Sequence, residues 1–190
     1  MEEHKGVWVG LVAIVIVVAL GLWWISANQS VNSSTQGAST VATTTTSGTG
    51  PTVTDNSNSN VASIVASLSG ASRFQSLFAS TGVSSLIKAN GQYTIFVPTD
   101  GAFSSLLSGT ISKMTAAQLK RLVEYHVVSG RAIQGGTEVS GAIQALSGDA
   151  LNFSNTNNIP MVNSSILVSE YKGSNGVVYV INNVLIPPQK

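Results

Sequence analysis

Gly91-Gln-Tyr-Thr-Ile-Phe-Val-Pro-Thr-Asp-Gly-Ala-Phe103 joins a strand signal directly to a helix signal. Tyr93 to Val97 carries β-branched and aromatic residues and no charge, and reads as a buried strand. Pro98 brings no amide hydrogen to a ladder and stops the strand. Thr99 or Asp100 then offers a side-chain oxygen to the first amides of a helix. Ala102, Phe103, Leu106 and Leu107 are the inward face of that helix.

Upstream, helical signals dominate. Asn58 or Asn60 can cap a helix with Ile64, Val65 and Leu68 on one face and Gly70 at its end. Ser72 opens a second helix, and Gln75 completes a capping-box pattern with it. Phe74, Leu77 and Phe78 fall one turn apart, and Gly82 stops the run. Val83 to Lys88 is a short helical stretch before the Asn90-Gly91 turn. Downstream, Thr115-Ala-Ala-Gln118 is a second capping box, followed by Leu119, Leu122, Val123 and His126 on one face.

After Gly130 the texture changes to short β-like runs between turn residues. Ala142–Leu146 and Leu151–Phe153 flank Ser147-Gly-Asp149. Ile166–Tyr171 and Val177–Ile181 flank Lys172-Gly-Ser-Asn-Gly176. A last run, Val184 to Ile186, precedes Pro187-Pro188. Helices first and strands later, with one early strand, predict an α+β class with a mixed or antiparallel sheet.

Three pieces stand in one order: the 91–103 stretch, Tyr125-His-Val-Val128, and Gly176-Val-Val-Tyr-Val-Ile-Asn-Asn-Val-Leu-Ile-Pro-Pro188. Together they resemble the fasciclin (FAS1) domain, over residues 58–190. The resemblance implies a sheet wedge with helices packed over it, and adhesion or surface binding as the activity. Thr99, Asp100, Tyr125, His126, Val177, Tyr179 and Ile181 match its motifs and are carried over as fold-defining residues with an interaction role in reserve. The closing box departs from the family's pattern: Asn182-Asn183 follows Ile181 where an acid is common. Adhesion sites that depend on that acid are therefore not carried over.

Ahead of the domain, the chain is of two kinds. Val7 to Ile25 is almost unbroken Val, Ile, Leu, Ala and Trp with no charge. Nineteen helical residues span ~28 Å, close to the hydrocarbon thickness of a bilayer. Trp23 and Trp24 suit the lipid boundary. The start, Glu2-Glu3-His4-Lys5, and the length of the apolar run favour an uncleaved anchor over a signal peptide. Lys5 is the one basic side chain before Arg73, so residues 1–6 are expected in the cytoplasm and everything past the anchor outside. Residues 26–57 are rich in Ser, Thr and Asn, cannot bury a core, and are expected to form a flexible linker with a reach of ~30–35 Å. Asn28, Asn32, Asn152 and Asn163 each begin a glycosylation triplet, a pattern frequent by chance in so Asn- and Ser-rich a chain.

Chemistry is sparse. There is no cysteine, which removes thiol catalysis and Cys-type metal sites. His4 and His126 are the two histidines, too few for a zinc or copper cage, and no calcium-loop pattern occurs. Gly135-Gly136 lacks the Lys-Ser/Thr of a phosphate loop. No nucleophile elbow occurs, and Asp100, Glu124, Glu138, Asp149 and Glu170 are scattered. No catalytic residue, metal or cofactor is therefore assigned. His126 has two readings: part of a recognition motif, as the resemblance implies, or a helix-end side chain buried against a polar partner. The second is preferred, with Asp100 or Thr99 as expected partner and an imidazole shielded from titration. Lys113, Lys120, Arg121 and Arg131 read as a solvated basic face, or as affinity for acidic polysaccharide or anionic lipid.

The expectation is a single-pass membrane protein presenting one extracytoplasmic domain that binds a surface protein, matrix or polysaccharide. Nucleic acid is excluded by the side of the membrane. A small-ligand domain for a lipid or porphyrin is the alternative. A hydrolase using His126 has least support.

Overall fold

The computed structural model describes residues 43–44, 50–106, 109–135 and 140–189, all within one unit, Val41–Lys190. The expected tail at 1–6, anchor at 7–25 and most of the linker lie outside the described residues. Among the described residues no helix is long and apolar enough to cross a membrane.

The described elements begin with β1 (Thr43–Thr44) and β2 (Thr52–Asn56). Helices α1 (Val61–Ser67) and α2 (Ser72–Ser80) follow, then a 3-10 turn at Val83–Leu86. Strand β3 (Tyr93–Pro98) runs into α3 (Asp100–Ser104), and α4 (Ala116–Tyr125) runs into β4 (Val127–Ser129). The chain closes with β5 (Gly141–Gln144), β6 (Ala150–Thr156), β7 (Ile159–Val162), β8 (Ser165–Gly173) and β9 (Gly176–Ile181). The class is α+β, with a sheet order β4-β3-β9-β8-β7-β6-β5.

The sheet is mixed because its centre is parallel. Tyr93–Pro98 pairs with Gly176–Ile181 in parallel register, while β4 flanks β3 and β8 flanks β9 antiparallel. All six residues of β3 are buried. Alternation sends Tyr93, Ile95, Val97 and Val178 to a core shared with Val61, Ile64, Val65, Phe74, Phe78, Leu122 and Val123 of the helices. Phe96, Val177, Tyr179 and Ile181 face the opposite way, into a second core with Leu151, Phe153, Val162 and Leu167. There the Phe96 ring stacks on Tyr179 at 5.9 Å and tilts onto Phe153 at 5.6 Å. A run with no polar face is what a strand between two cores requires. A register shift between Leu167 and Ser169 bends β8, so that its start pairs with β7 and its remainder with β9.

Three expectations are corrected. The linker ends earlier than residue 57: Thr52–Asn56 pairs in parallel with Ser169–Gly173. Its polar sequence did not announce a strand because none of its residues is fully buried, and an edge strand held by backbone bonds needs no apolar face. Val184 to Ile186 is not a strand; it is an irregular segment whose Val184 is buried in the first core and Leu185 in the second. Ser72 is not the cap of α2. Ala71 holds that position without a side-chain bond, and the cap comes from Asp100, twenty-eight residues on. Gln75 instead donates Nε2 to Val65 O (2.9 Å) and Leu68 O (2.7 Å), closing the end of α1.

Arg121 also departs from the solvated face. It makes bonds of 3.0–3.2 Å to both oxygens of Asp149 and a 2.8 Å bond to Pro188 O. Ser147 Oγ donates to the same carboxylate at 3.0 Å. The pair therefore ties α4, the β5–β6 turn and the chain's last residues together. Arg121→Ala is expected to cost about 2 kcal/mol in urea unfolding. That is below the ~3–5 kcal/mol of a fully buried pair, because 27% of the Arg121 side chain stays exposed against 5% of Asp149. An unchanged midpoint would contradict this.

Candidate functional site

The Tyr-His motif occupies the junction between α4 and β4. Its backbone leaves the helix at His126, the C-cap, so the side chains of both residues turn inward. Tyr125 is 3% exposed and His126 0%. Tyr125 Oη donates to Ala150 O at 2.9 Å and accepts from Asn163 Nδ2 at 3.0 Å. A sugar on Asn163 would displace that bond, so of the two triplets in the domain only exposed Asn152 is compatible with modification.

The partners of His126 are not Asp100 or Thr99. Nδ1 lies 2.8 Å from Leu122 O, and Leu185 N donates to Nε2 at 3.1 Å. An amide donating to Nε2 places the ring proton on Nδ1, where it is donated to Leu122 O. Phe74 covers the ring at a centroid distance of 5.3 Å. Burial pushes the imidazole pKa down from 6.5 to about 4, only partly offset by the bond to Leu122. The helix-end reading found the burial; the partner Leu185 was out of reach, because its contribution is a backbone amide that no side-chain pattern encodes.

Val177, Tyr179 and Ile181 are 0% exposed. Tyr179 Oη donates to Ile133 O at 3.0 Å, pinning the segment after β4 beneath the sheet. Glu170, also 0% exposed, accepts from Gly135 N through Oε2 at 3.1 Å, which holds the same segment from β8.

Thr99 and Asp100 are spent on helix ends. Thr99 Oγ1 accepts from Ala102 N at 3.1 Å. Asp100 Oδ1 accepts from Arg73 N at 2.9 Å, and Oδ2 from Ser72 N and Ser72 Oγ at 3.1 and 2.8 Å. In return Asp100 N donates to Gly70 O at 2.7 Å. The two helix starts are thus joined by a reciprocal cap made between distant segments. The Arg73 amide bond and then the Ser72 hydroxyl bond hold the Asp100 carboxyl below its ordinary 3.8. The carboxylate's contribution is complete above that value and is lost as pH falls through the depressed one. Asp100→Ala is expected to lower the melting temperature and deprotect the Ser72 and Arg73 amides in hydrogen exchange at pH 7, with the difference in melting temperature from wild type shrinking as pH falls below 3.8. Equal protection at pH 7 would exclude the cap.

With Tyr125, His126, Val177, Tyr179 and Ile181 inside, the solvent-facing feature beside half-buried Asp100 is an open groove of about 520 Å³. Arg73, Phe103, Ser104, Leu106, Gly109, Thr110, Ile111 and Ser112 line it. It runs from the start of α2 along α3 to the turn before α4. Sequence reading missed it, because Arg73 comes from a different helix and the remaining residues form no motif. The isolated cation between Ser72 and Phe74 was the available signal.

A family model for the fasciclin domain matches residues 69–187. Synechocystis protein sll1483 is 33% identical over 133 residues, 66% of this chain and 73% of that protein. Transforming growth factor-beta-induced protein ig-h3 of Sus scrofa is 35% identical over 127 residues, 64% of this chain and 19% of that protein. Cell surface glycolipoprotein MPB83 of Mycobacterium bovis is 37% identical over 101 residues, 52% of this chain and 45% of that protein. A solved FAS1 domain pair from the insect cell adhesion molecule fasciclin I is similar at a TM-score of 0.46 and 16% identity, covering 64% of this chain and 47% of that one. On the family match over residues 69–187, the chain belongs to the fasciclin domain family.

Proposed function

We propose that this chain is a membrane-anchored interaction module, whose fasciclin domain is held outside the cytoplasm and binds a surface protein, matrix or polysaccharide. The observation that carries binding over catalysis is the state of His126. The domain's single histidine is sealed between Leu122 O and Leu185 N, so it has no free nitrogen to take a proton from a substrate. The uncharged run at 7–25 supports the anchor. MPB83, a relative described as a cell surface glycolipoprotein, supports the location. A single domain offers one weak contact, and many copies anchored in one membrane multiply it. The small-ligand reading has less support, since an open groove leaves a lipid tail or porphyrin largely in water.

The test is display of the full chain on a non-adherent host cell, scored by clumping and by retention on matrix- or polysaccharide-coated surfaces. A chain truncated after Asn60 is the control. Retention that needs residues 61–190 is expected; equal retention of the truncated chain would refute the reading.

A further inference from the structure

We infer that the groove between α2, α3 and the turn before α4 binds an acidic sugar unit, a uronate carried in a polysaccharide. This rests on the surface-binding reading above and assigns it a ligand class. Three features carry it: the charges, the hydroxyls and the shape of the same site.

The groove presents a cation. Arg73 is the charged residue in the lining, and its guanidinium makes no hydrogen bond or ion pair among the described residues. A second cation stands at the rim: Lys113 Cε lies 3.5 Å from where a Cβ on Gly109 would be. Asp100, the acid beside Arg73, attracts the guanidinium through space, but its oxygens bond to the Ser72 and Arg73 amides, so the guanidinium's hydrogen-bonding fork stays open. The neighbouring cations are committed elsewhere: Arg121 to Asp149, and Lys120 to Glu124 at 3.8 Å. A planar fork with nothing bound to it fits a carboxylate in bidentate fashion.

The rest of the lining separates a sugar acid from other carboxylates. Ser104 and Ser112 put exposed hydroxyls on the walls; Ser104 Oγ donates to Asp100 O at 3.0 Å and Ser112 Oγ to Gly109 O at 3.2 Å, which leaves each oxygen to accept from ring hydroxyls. Phe103, Leu106 and Ile111 form an apolar floor against which the C–H face of a pyranose can lie. A fatty acid would leave its chain in water in so open a channel, whereas a polysaccharide needs open ends to pass through. A volume of about 520 Å³ lies within the ~300–1,000 Å³ usual for ligand sites.

The probe is a hexamer of galacturonate, with its fully methyl-esterified form as the uncharged twin. Binding to the full chain in detergent micelles is measured by calorimetry at low and at high salt. The acid hexamer is expected to bind, at least tenfold more tightly than the ester, and more weakly as salt screens the charge. Arg73→Ala is expected to lose tenfold or more with its melting temperature unchanged, Arg73→Lys and Lys113→Ala less, and Lys120→Ala nothing. No binding of the acid hexamer, equal binding of its ester, or an Arg73→Ala affinity equal to wild type would each overturn the assignment. Competition by oleate at the same concentration as by uronate would overturn the sugar in favour of a lipid. The cell-retention assay separates this inference from the one beneath it. Retention that survives Arg73→Ala removes the groove and leaves surface binding standing. Uronate binding without domain-dependent retention does the reverse.

Discussion

Acidification from pH 7 to pH 4 is expected to remove about 3 kcal/mol from the stability of the folded domain, through one side chain. His126 has a pKa of about 4 when folded against 6.5 when unfolded, and each unit is worth about 1.4 kcal/mol. The unfolded chain therefore binds the proton first. Stability is complete above pH 6.5, falls as pH drops from 6.5 to about 4, and is flat with respect to this group below that. The geometry gives the reason: a proton on Nε2 would meet the Leu185 N–H head-on, and no carboxylate bonds to the ring to take up the charge. The Asp100 contribution occupies a separate window, below 3.8. His126→Leu keeps an apolar side chain of similar bulk but leaves the Leu185 amide buried and unpaired, at ~2–3 kcal/mol. Urea unfolding of both proteins across pH 4–8 checks this. The wild type should lose its advantage as pH falls, until the two nearly coincide at pH 4. Parallel pH profiles, or an imidazole that titrates near 6.5 by NMR, would show that the ring is not sealed.

Gly176→Ala is expected to abolish cooperative folding, or to cost more than about 4 kcal/mol, a range reached only by a specific structural fault. Gly176 opens β9 opposite Tyr93 in the central parallel pair. Its φ of +149° is one that side-chain-bearing residues rarely adopt. More decisively, a Cβ there would overlap the Tyr93 carbonyl oxygen and lie 2.8 Å from the Tyr93 carbonyl carbon. Backbone atoms of a buried strand cannot step aside without moving β3, and β3 faces both cores. Gly101→Ala is the matched control. Its Cβ would meet only Thr99 Oγ1, at an ordinary 3.6 Å. Inside α3 the change should be neutral or stabilising by about 0.5–1 kcal/mol. Thermal melts followed by circular dichroism distinguish the two. A Gly176→Ala melt within a few degrees of wild type would mean that the strand start is pliable.

The division between legible and illegible features follows the range of the interactions. Local ones could be read along the chain. Thr115 and Gln118 exchange their capping bonds at 2.8 and 3.3 Å, and Asn60 Oδ1 takes the Ser63 amide at 2.8 Å. Tyr93–Val97 was legible because a run without a polar face has few places to go except between two cores. Capping at α2 was misread for the complementary reason: Ser72 and Gln75 have the right types at the right spacing, but Asp100 and the end of α1 outcompete the local partners once the segments meet. β2 was missed because its partner, Ser169–Gly173, is over a hundred residues away and its own side chains have no core to report.

Legible along the chain, then, were the fasciclin class, the buried strand at 93–97, the helix start at Thr115, the paired capping candidates Asn58 or Asn60 and Thr99 or Asp100, and the burial of His126. All of these rest on side-chain type and on spacings of a few residues. Packing between distant segments settled what His126 bonds to, that Asp100 caps a helix far from its own, that Arg121 is tied down while the Arg73 fork makes no hydrogen bond among the described residues, and that a groove lies beside it. These depend on which backbone amides, carbonyls and charges arrive together when distant segments pack, and no pattern along the chain encodes that meeting.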